Sequence, residues 1–330
     1  MEGINTYQHS EGQSFKHLPE ISNIETCSAC NLECPMCLRS THLGRQPGLV
    51  DMKLLKLMKE RGDFGGSHYI ELQMAGEPTL HPKLFEIVNY LKHEVGVLVG
   101  LSTHGLSMEK PSIDVTLGML DALTISVDSV DPETYHRMRF PAHLKDLYRN
   151  LDKFFKFIEA RKNLAHGRIP MIELQLVKTP LVEKSGDLEA LQQVMKEKGW
   201  DRFAVVRTIY DCFEGMQDRV GISGINEATS HLGLCLNPFT SVSIAHNGDV
   251  VSCCMIFTPR KEEINYYGNL YEQSLEEIWN NHIVKTLRHE MMEHEVEGRP
   301  LHGQCAKCTV RSPAMIHNQI VSRLVQLRGL

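Results

Sequence analysis

Ten of the 330 residues are cysteine: Cys27, Cys30, Cys34, Cys37, Cys212, Cys235, Cys253, Cys254, Cys305 and Cys308. The first four fall within one short stretch, and Cys235, Cys253, Cys254, Cys305 and Cys308 gather in the last third. The opening segment, MEGINTYQHSEGQSFKHLPE, has no apolar core and no cleavage site, which predicts a cytoplasmic chain without a signal peptide. In a reducing compartment, clustered thiols hold a metal or a cluster more often than they form disulfides. Two separate thiol sites are therefore expected.

The first stretch reads Thr26-Cys27-Ser28-Ala29-Cys30-Asn31-Leu32-Glu33-Cys34-Pro35-Met36-Cys37. Two readings compete. Cys27 and Cys30 with Cys34 and Cys37 could hold one tetrahedral zinc, although zinc ribbons set their two pairs farther apart. Alternatively, Cys30, Cys34 and Cys37 form a C-x3-C-x2-C triplet suited to three corners of a [4Fe–4S] cube. The fourth iron would then be open to a small molecule.

These thiols need a scaffold. Apolar residues make up 42% of the chain and charged residues 23%, enough for a sizeable core and against wholesale disorder. A net charge of −6 argues against a nucleic-acid backbone or an anionic membrane as partner, and no apolar run is long enough to span a bilayer. Strand-like runs at Asn23–Thr26, His68–Met74, Val97–Ser102, Ala122–Val127, Met171–Val177 and Arg202–Thr208 alternate with helical periodicity. The helices expected are one capped by Asp51 and running to Lys59, Leu84–Glu94, one striped by Leu147, Leu151, Phe154, Phe155 and Ile158, and Asp187–Lys198 ending at Gly199. Six strand–helix units predict an α/β fold, a partial (β/α)6 barrel with right-handed crossovers.

Two strands share a pattern, Ile70-Glu71-Leu72-Gln73-Met74 and Ile172-Glu173-Leu174-Gln175-Leu176. Alternation puts Glu and Gln on one face and the apolar residues on the other. Helices must cover the apolar face, so the polar face would line the barrel interior as a substrate cavity. The competing reading leaves these groups in water at strand ends.

Composition shifts after Asp211. The expected division is a tail over 1–20, the barrel over 21–215, a Gly/Ser/Asn-rich linker over 216–232 and a small α+β unit over 233–330. That unit opens with strand-like Thr240–Ile244 and Val250–Met255, joined by His246-Asn247-Gly248-Asp249, a hairpin signal. A helix capped by Ser274, with Glu277 at the capping-box position, is expected to reach about Glu293, and an amphipathic helix follows Cys308.

With the triplet in place, the chain resembles the radical S-adenosylmethionine (SAM) enzymes over about 21–210. Gly76-Glu77-Pro78 is similar to the family's GEP motif, which contacts the methionine amino group. Ser102-Thr103-His104-Gly105 resembles S-T-N-G with His104 in place of Asn, and Ile125-Ser126-Val127-Asp128 resembles I-S-x-D. Arg139 sits where relatives place a partner of the SAM carboxylate, and Val177 where an apolar residue packs on adenine. Met36 stands where relatives often carry an aromatic residue, and its thioether can pack on adenine instead. Cys27 lies outside the pattern and reads as a small buried residue. Each match falls at a strand end, where a parallel barrel builds its site.

The second group, Cys235, Cys253, Cys305 and Cys308, resembles the shortened "twitch" form of the SPASM domain, as do Gly268-Asn269-Leu270 and Ser274-Leu275-Glu276-Glu277-Ile278-Trp279. The resemblance implies one auxiliary [4Fe–4S] cluster with four thiolates and no open iron. Structural zinc is the alternative, and Cys254 could replace Cys253. On a strand, neighbours face opposite ways, so only one of the two should bind.

The chemistry so implied is reductive cleavage of SAM to methionine and a 5′-deoxyadenosyl radical, which removes a hydrogen atom from an unactivated carbon. It implies an electron donor such as flavodoxin or ferredoxin. A small polar, carbohydrate-like substrate is expected, undergoing dehydrogenation or epimerisation. Glu71, Glu173 and Asp211 are candidate bases, Arg207 a candidate substrate contact, and Cys212 or Cys254 a candidate hydrogen-atom donor. Peptide maturation is a second reading, lowered because only about twenty residues precede the first strand. A zinc-bound interaction protein is the third.

Overall fold

The computed structural model describes residues 15–37, 39, 46–108, 113–163, 168–178, 186–210, 234–256, 264–301 and 305. Asp211, Cys212, Cys308, the linker and the helix expected after Cys308 lie outside the described residues.

The strands follow from the alternating segments: β1 (Glu20–Ile24), β2 (Tyr69–Leu72), β3 (Leu98–Thr103), β4 (Ala122–Ser126), β5 (Met171–Lys178) and β6 (Ala204–Tyr210). They pair in the order β6-β5-β4-β3-β2-β1, every neighbour parallel. Helices α1 (Met52–Arg61), α2 (Leu84–Asn89), α3 (Ile113–Met119), α4 (Pro132–Met138), α5 (Leu144–Lys162) and α6 (Asp187–Lys198) link them. The Asp51 side chain accepts from Lys53 N–H and opens α1. Gly199, in the left-handed region at φ 69°, closes α6. Leu147, Leu151, Phe154, Phe155 and Ile158 of α5 are buried, as their spacing requires. Each such side chain contributes about 1.5–3 kcal/mol by leaving water. The helix expected over Leu84–Glu94 ends instead in a π-helical turn, Tyr90–Val95.

The two-faced strands are as expected. Ile70, Leu72, Ile172, Leu174 and Leu176 are buried in the main core, while Tyr69, Glu71 and Glu173 occupy the alternate positions. The carboxylates do not stand in water, for Glu71 is 7% exposed and Glu173 is 1% exposed. Gly100 on β3 makes room for this layer. A Cβ there would meet the Tyr69 hydroxyl at 1.7 Å and Glu71 Oε2 at 2.2 Å.

The C-terminal unit continues the same sheet. Strand β7 (Ser241–Ile244) lies parallel to β1, and β8 (Asp249–Val251) and β9 (Tyr266–Asn269) follow antiparallel, giving nine strands. The strand expected over Val250–Met255 stops early. The chain turns at Cys253, whose carbonyl accepts from Ile256 N–H at 3.0 Å. The single helix expected from Ser274 to about Glu293 is two, α7 (Leu275–Trp279) and α8 (His282–Glu297). Asparagines divide them. Asn280 Nδ2 donates back to the Glu276 carbonyl at 3.0 Å, and Asn281 Oδ1 accepts from Val284 N–H at 3.0 Å as the cap of α8. Such local bonds compete with the helix ladder.

Candidate functional site

The loop after β1 carries Cys30, Cys34 and Cys37 over the C-terminal ends of the strands. Arg39 clasps it, with Nε donating to the Ser28 carbonyl at 3.1 Å, Nη1 to Leu32 at 3.4 Å and Nη2 to Cys30 at 3.3 Å. Gly76 supports it from β2's side. A Cβ there would lie 2.2 Å from the Cys27 carbonyl oxygen and 2.5 Å from that of Ala29, and Glu77 N–H donates to Ala29 O at 2.8 Å. Met36 and Cys34 are buried with Leu32 and Met138. Cys27 is buried, its thiol 3.5 Å from the Ala29 carbonyl, which fits its reading as a packing residue.

Burial pushes the Cys30 thiol up to about 12 and raises Cys34, against the lowering pull of Arg139 on the latter. A thiolate so placed needs compensating positive charge, which iron ligation supplies. The donor set, three free thiols on one short loop, fits a cube in which each thiolate would bind a different iron.

Glu77 is buried, and its carboxylate is surrounded by donors. Oε1 accepts from Thr79 N–H at 3.1 Å, Thr79 Oγ1 at 2.6 Å and Thr103 Oγ1 at 2.6 Å. Oε2 accepts from His104 N–H at 3.0 Å and lies 3.4 Å from His104 Nε2. A carboxylate offers about four lone-pair sites, so Glu77 is used up in joining β2's end to β3's. Pro78 opens the short 3-10 turn Pro78–Leu80 behind it. His104 accepts from Leu106 N–H at Nδ1 (3.0 Å), which leaves Nε2 to donate to Asn31 Oδ1 at 2.8 Å. The histidine thus ties the third strand's end to the cysteine loop.

Asp128 is fully buried at φ 63°, a left-handed conformation that Asp tolerates better than most residues. It pairs with Arg139 and accepts from Val177 N–H at 3.2 Å through Oδ1. Arg139 Nη1 lies 4.0 Å from Cys34 Sγ. Cys34, Arg139, Asp128 and Val177 form one connected wall. Ser126 stands beside Gln175 in the β4–β5 register.

Below this rim lies the polar layer. Tyr69 donates its hydroxyl to Glu71, Ser102 Oγ donates to Glu71 Oε1 at 2.8 Å, and Arg207 Nη1 donates to Glu173 Oε2 at 3.0 Å. Burial raises the Glu71 carboxyl above the usual carboxylate range, against the pull of these donors. Tyr69 escaped the sequence reading because it looks like any apolar strand residue. Arg39 and Asn31 escaped it because neither belongs to a motif.

The second thiol group comes from three segments. Cys235 and Cys305 pack against the main core, and Cys305 Sγ donates to Asn265 Oδ1 at 3.3 Å. Cys253 and Cys254 sit in the turn after β8, beyond its last residue Val251. The strand-alternation argument for separating them therefore does not apply. Cys37 and the Cys253–Cys254 pair pack against one apolar cluster of Met74, Ala75, Val251 and Ile256, so the two thiol sites adjoin.

A parallel sheet with a thiol loop at its C-terminal rim and a second thiol site alongside defines an iron–sulfur enzyme scaffold. Residues 24–170 match the radical SAM superfamily, and residues 235–309 match the SPASM iron–sulfur cluster-binding domain. Together these cover more than half of the chain, which belongs to the radical SAM superfamily and carries a SPASM domain. It is a radical SAM enzyme with SAM and [4Fe–4S] clusters as cofactors.

A tungsten-containing aldehyde ferredoxin oxidoreductase cofactor-modifying protein of Pyrococcus furiosus is 24% identical over 323 residues, covering 87% of this chain and 86% of its own. A probable GTP 3′,8-cyclase of Saccharolobus solfataricus is 29% identical over 171 residues, where this chain spans 55% of the relative's length. Among solved structures, anSMEcpe with bound AdoMet has TM-score 0.57 at 15% identity, covering 88% of this chain and 86% of that one. Streptococcus suis SuiB bound to precursor peptide SuiA has TM-score 0.56 at 14% identity, covering 88% and 70%. BtrN in complex with AdoMet and 2-DOIA has TM-score 0.50 at 17% identity, covering 89% and 94%. These likenesses establish the fold. Among the described residues no helix is long and apolar enough to cross a membrane.

Proposed function

We propose that this enzyme abstracts a hydrogen atom from a small polar, carbohydrate-like substrate held in the barrel interior, and that the outcome is dehydrogenation or epimerisation. The observation that carries this reading is the buried polar layer of Glu71, Glu173 and Arg207 beneath the thiol loop. A core built only for stability has no use for two carboxylates there, whereas a polyhydroxylated ligand pairs with them.

Cys30, Cys34 and Cys37 would hold the first cluster, and Cys235, Cys253, Cys305 and Cys308 the auxiliary one. When bound, the first cluster and SAM supply the hydrogen-abstracting radical. The chain's own residues do the rest. The backbone at Gly76 and the Arg139–Asp128 pair orient the methionine end of SAM. Glu77, its acceptor sites already filled, acts as a positioning residue for that backbone. Met36, Ser126 and Val177 bound the adenine side, and the barrel walls exclude water.

Glu71 is the stronger candidate for the proton acceptor. Its raised carboxyl takes a proton from a carbinol nearer to neutral pH, while Glu173 is engaged by Arg207 and serves better in binding. The adjoining Cys253–Cys254 turn supports an auxiliary cluster as electron sink, or Cys254 as hydrogen-atom donor in an epimerisation. Asp211 and Cys212 remain candidates on sequence grounds.

The nearly full-length match to a cofactor-modifying protein favours a second reading, in which the polar substrate is part of a cofactor. One experiment addresses both. Reduced, reconstituted protein is incubated with SAM and C-deuterated polyols, aminocyclitols and cofactor precursors. Deuterium in 5′-deoxyadenosine identifies the substrate, and absence of any 5′-deoxyadenosine with all of them, at full iron loading, overturns the assignment. Solvent deuterium in the product marks epimerisation, and a two-electron oxidised product marks dehydrogenation.

A further inference from the structure

Tyr267 on β9 comes two residues after Asn265, whose Oδ1 accepts from Cys305 Sγ at 3.3 Å. Tyr267 is 1% exposed, and its ring belongs to the main core. Its backbone carbonyl is fixed by Asn281 Nδ2 at 2.7 Å, which anchors the strand to the start of α8. Its hydroxyl is buried and has no hydrogen-bond partner among the described residues. Cys235 and Cys305 pack against the same core.

A second donor shares this situation. Asn265 is fully buried at the end of the segment that meets Ser252. Its Oδ1 accepts from Ser252 Oγ at 2.8 Å and from Cys305 Sγ at 3.3 Å. Its Nδ2 is buried without a partner among the described residues. An orphaned buried donor costs about 1–3 kcal/mol, and native folds satisfy nearly all of them. Two orphans two residues apart, one of them on a side chain that touches Cys305, indicate a missing acceptor, and the neighbouring cysteine indicates which one. Thiolate and sulfide sulfurs of an iron–sulfur cluster accept such hydrogen bonds.

We propose that Tyr267 and Asn265 are positioning residues that donate hydrogen bonds to sulfurs of the auxiliary cluster and set its reduction potential. The inference rests on the reading of Cys235, Cys253, Cys305 and Cys308 as that cluster's ligands. A donor to sulfur stabilises the reduced, more negative state more than the oxidised one, so it raises the potential. This makes the auxiliary site a better electron acceptor, the role required of it in a net dehydrogenation.

The test isolates the auxiliary cluster by replacing Cys30, Cys34 and Cys37 with Ala in the full chain. Iron content, and the midpoint potential from an EPR-monitored titration, are then compared with and without Tyr267→Phe. The expected result is about four irons in both proteins and a lower midpoint in the Tyr267→Phe form. Asn265→Ser, which shortens the donor, is expected to move the midpoint the same way, and it keeps the test available if one variant fails to fold. Unchanged midpoints at full iron loading overturn the proposal while leaving the ligand assignment intact. Loss of all iron on removing Cys30, Cys34 and Cys37 overturns the ligand assignment, and the proposal with it.

Discussion

His246 clamps Glu25: its backbone N–H donates to Glu25 Oε2 at 3.0 Å, and its ring Nδ1 lies 2.9 Å from the same oxygen. Glu25 follows β1 of the barrel, whereas His246 lies in the β7–β8 turn of the C-terminal unit. Glu25 Oε1 also accepts from Ala75 N–H at 3.2 Å, next to Gly76. One buried carboxylate therefore fastens the barrel, the C-terminal unit and the loop of Gly76 together. The His246 ring lies against Gly48, where a Cβ would come within 2.3 Å of Nε2.

Removing the ring by His246→Ala leaves Glu25 short of one partner in a dry setting. The expected loss is about 1–3 kcal/mol of unfolding free energy, read by chemical denaturation of the apo-protein. An unchanged midpoint would show that the clamp is incidental to stability.

Gly76→Ala places a methyl group against the carbonyls of Cys27 and Ala29, and neither backbone can rotate away. The cysteine loop must shift. Iron should fall from about eight to about four per chain, with the remaining cluster unresponsive to SAM. Retention of eight irons and a normal SAM-induced spectral change would contradict the support assigned to this glycine.

The fold was readable where residues act on neighbours in sequence. Alternation in Ile172-Glu173-Leu174-Gln175-Leu176 marked β5, and Gly199 marked the end of α6. It was not readable where a long-range partner decides. Nothing in Ser241–Ile244 announces that it pairs with β1. The break at Asn280-Asn281 was present in the letters, yet the apolar periodicity of both flanks masked it. In the site, motif residues could be named from their order along the chain. Glu77's saturation by Thr79, Thr103 and His104 depends on two strand ends meeting, which no spacing reveals. Tyr69, Arg39 and Tyr267 carry their significance only through what surrounds them.

Arg139→Lys keeps the charge but loses the planar fork that reaches both Asp128 and the neighbourhood of Cys34. SAM should bind roughly 10–100-fold more weakly, equivalent to about 1.4–2.8 kcal/mol. Equilibrium titration of the reduced, cluster-loaded protein measures this, and iron content should stay at the wild-type level. Loss of iron instead of affinity would make Arg139 a support for the loop.

Glu71 gives a pH signature. Its carboxyl is raised by burial, and a base works only when deprotonated. Turnover should therefore fall on the acid side as pH drops through this raised value. Tyr69 and Ser102 donate to different oxygens of Glu71, so Glu71→Gln keeps an acceptor for one of them and cannot take a proton. The variant should lose about 10²–10⁴-fold in kcat, and its residual activity should lack the acid limb. Binding of SAM, and 5′-deoxyadenosine formed by uncoupled cleavage, should persist. Glu173→Gln, by contrast, leaves Arg207 without its counter-charge and should raise KM more than it lowers kcat. If the acid limb survives in Glu71→Gln and vanishes in Glu173→Gln, the two carboxylates exchange roles.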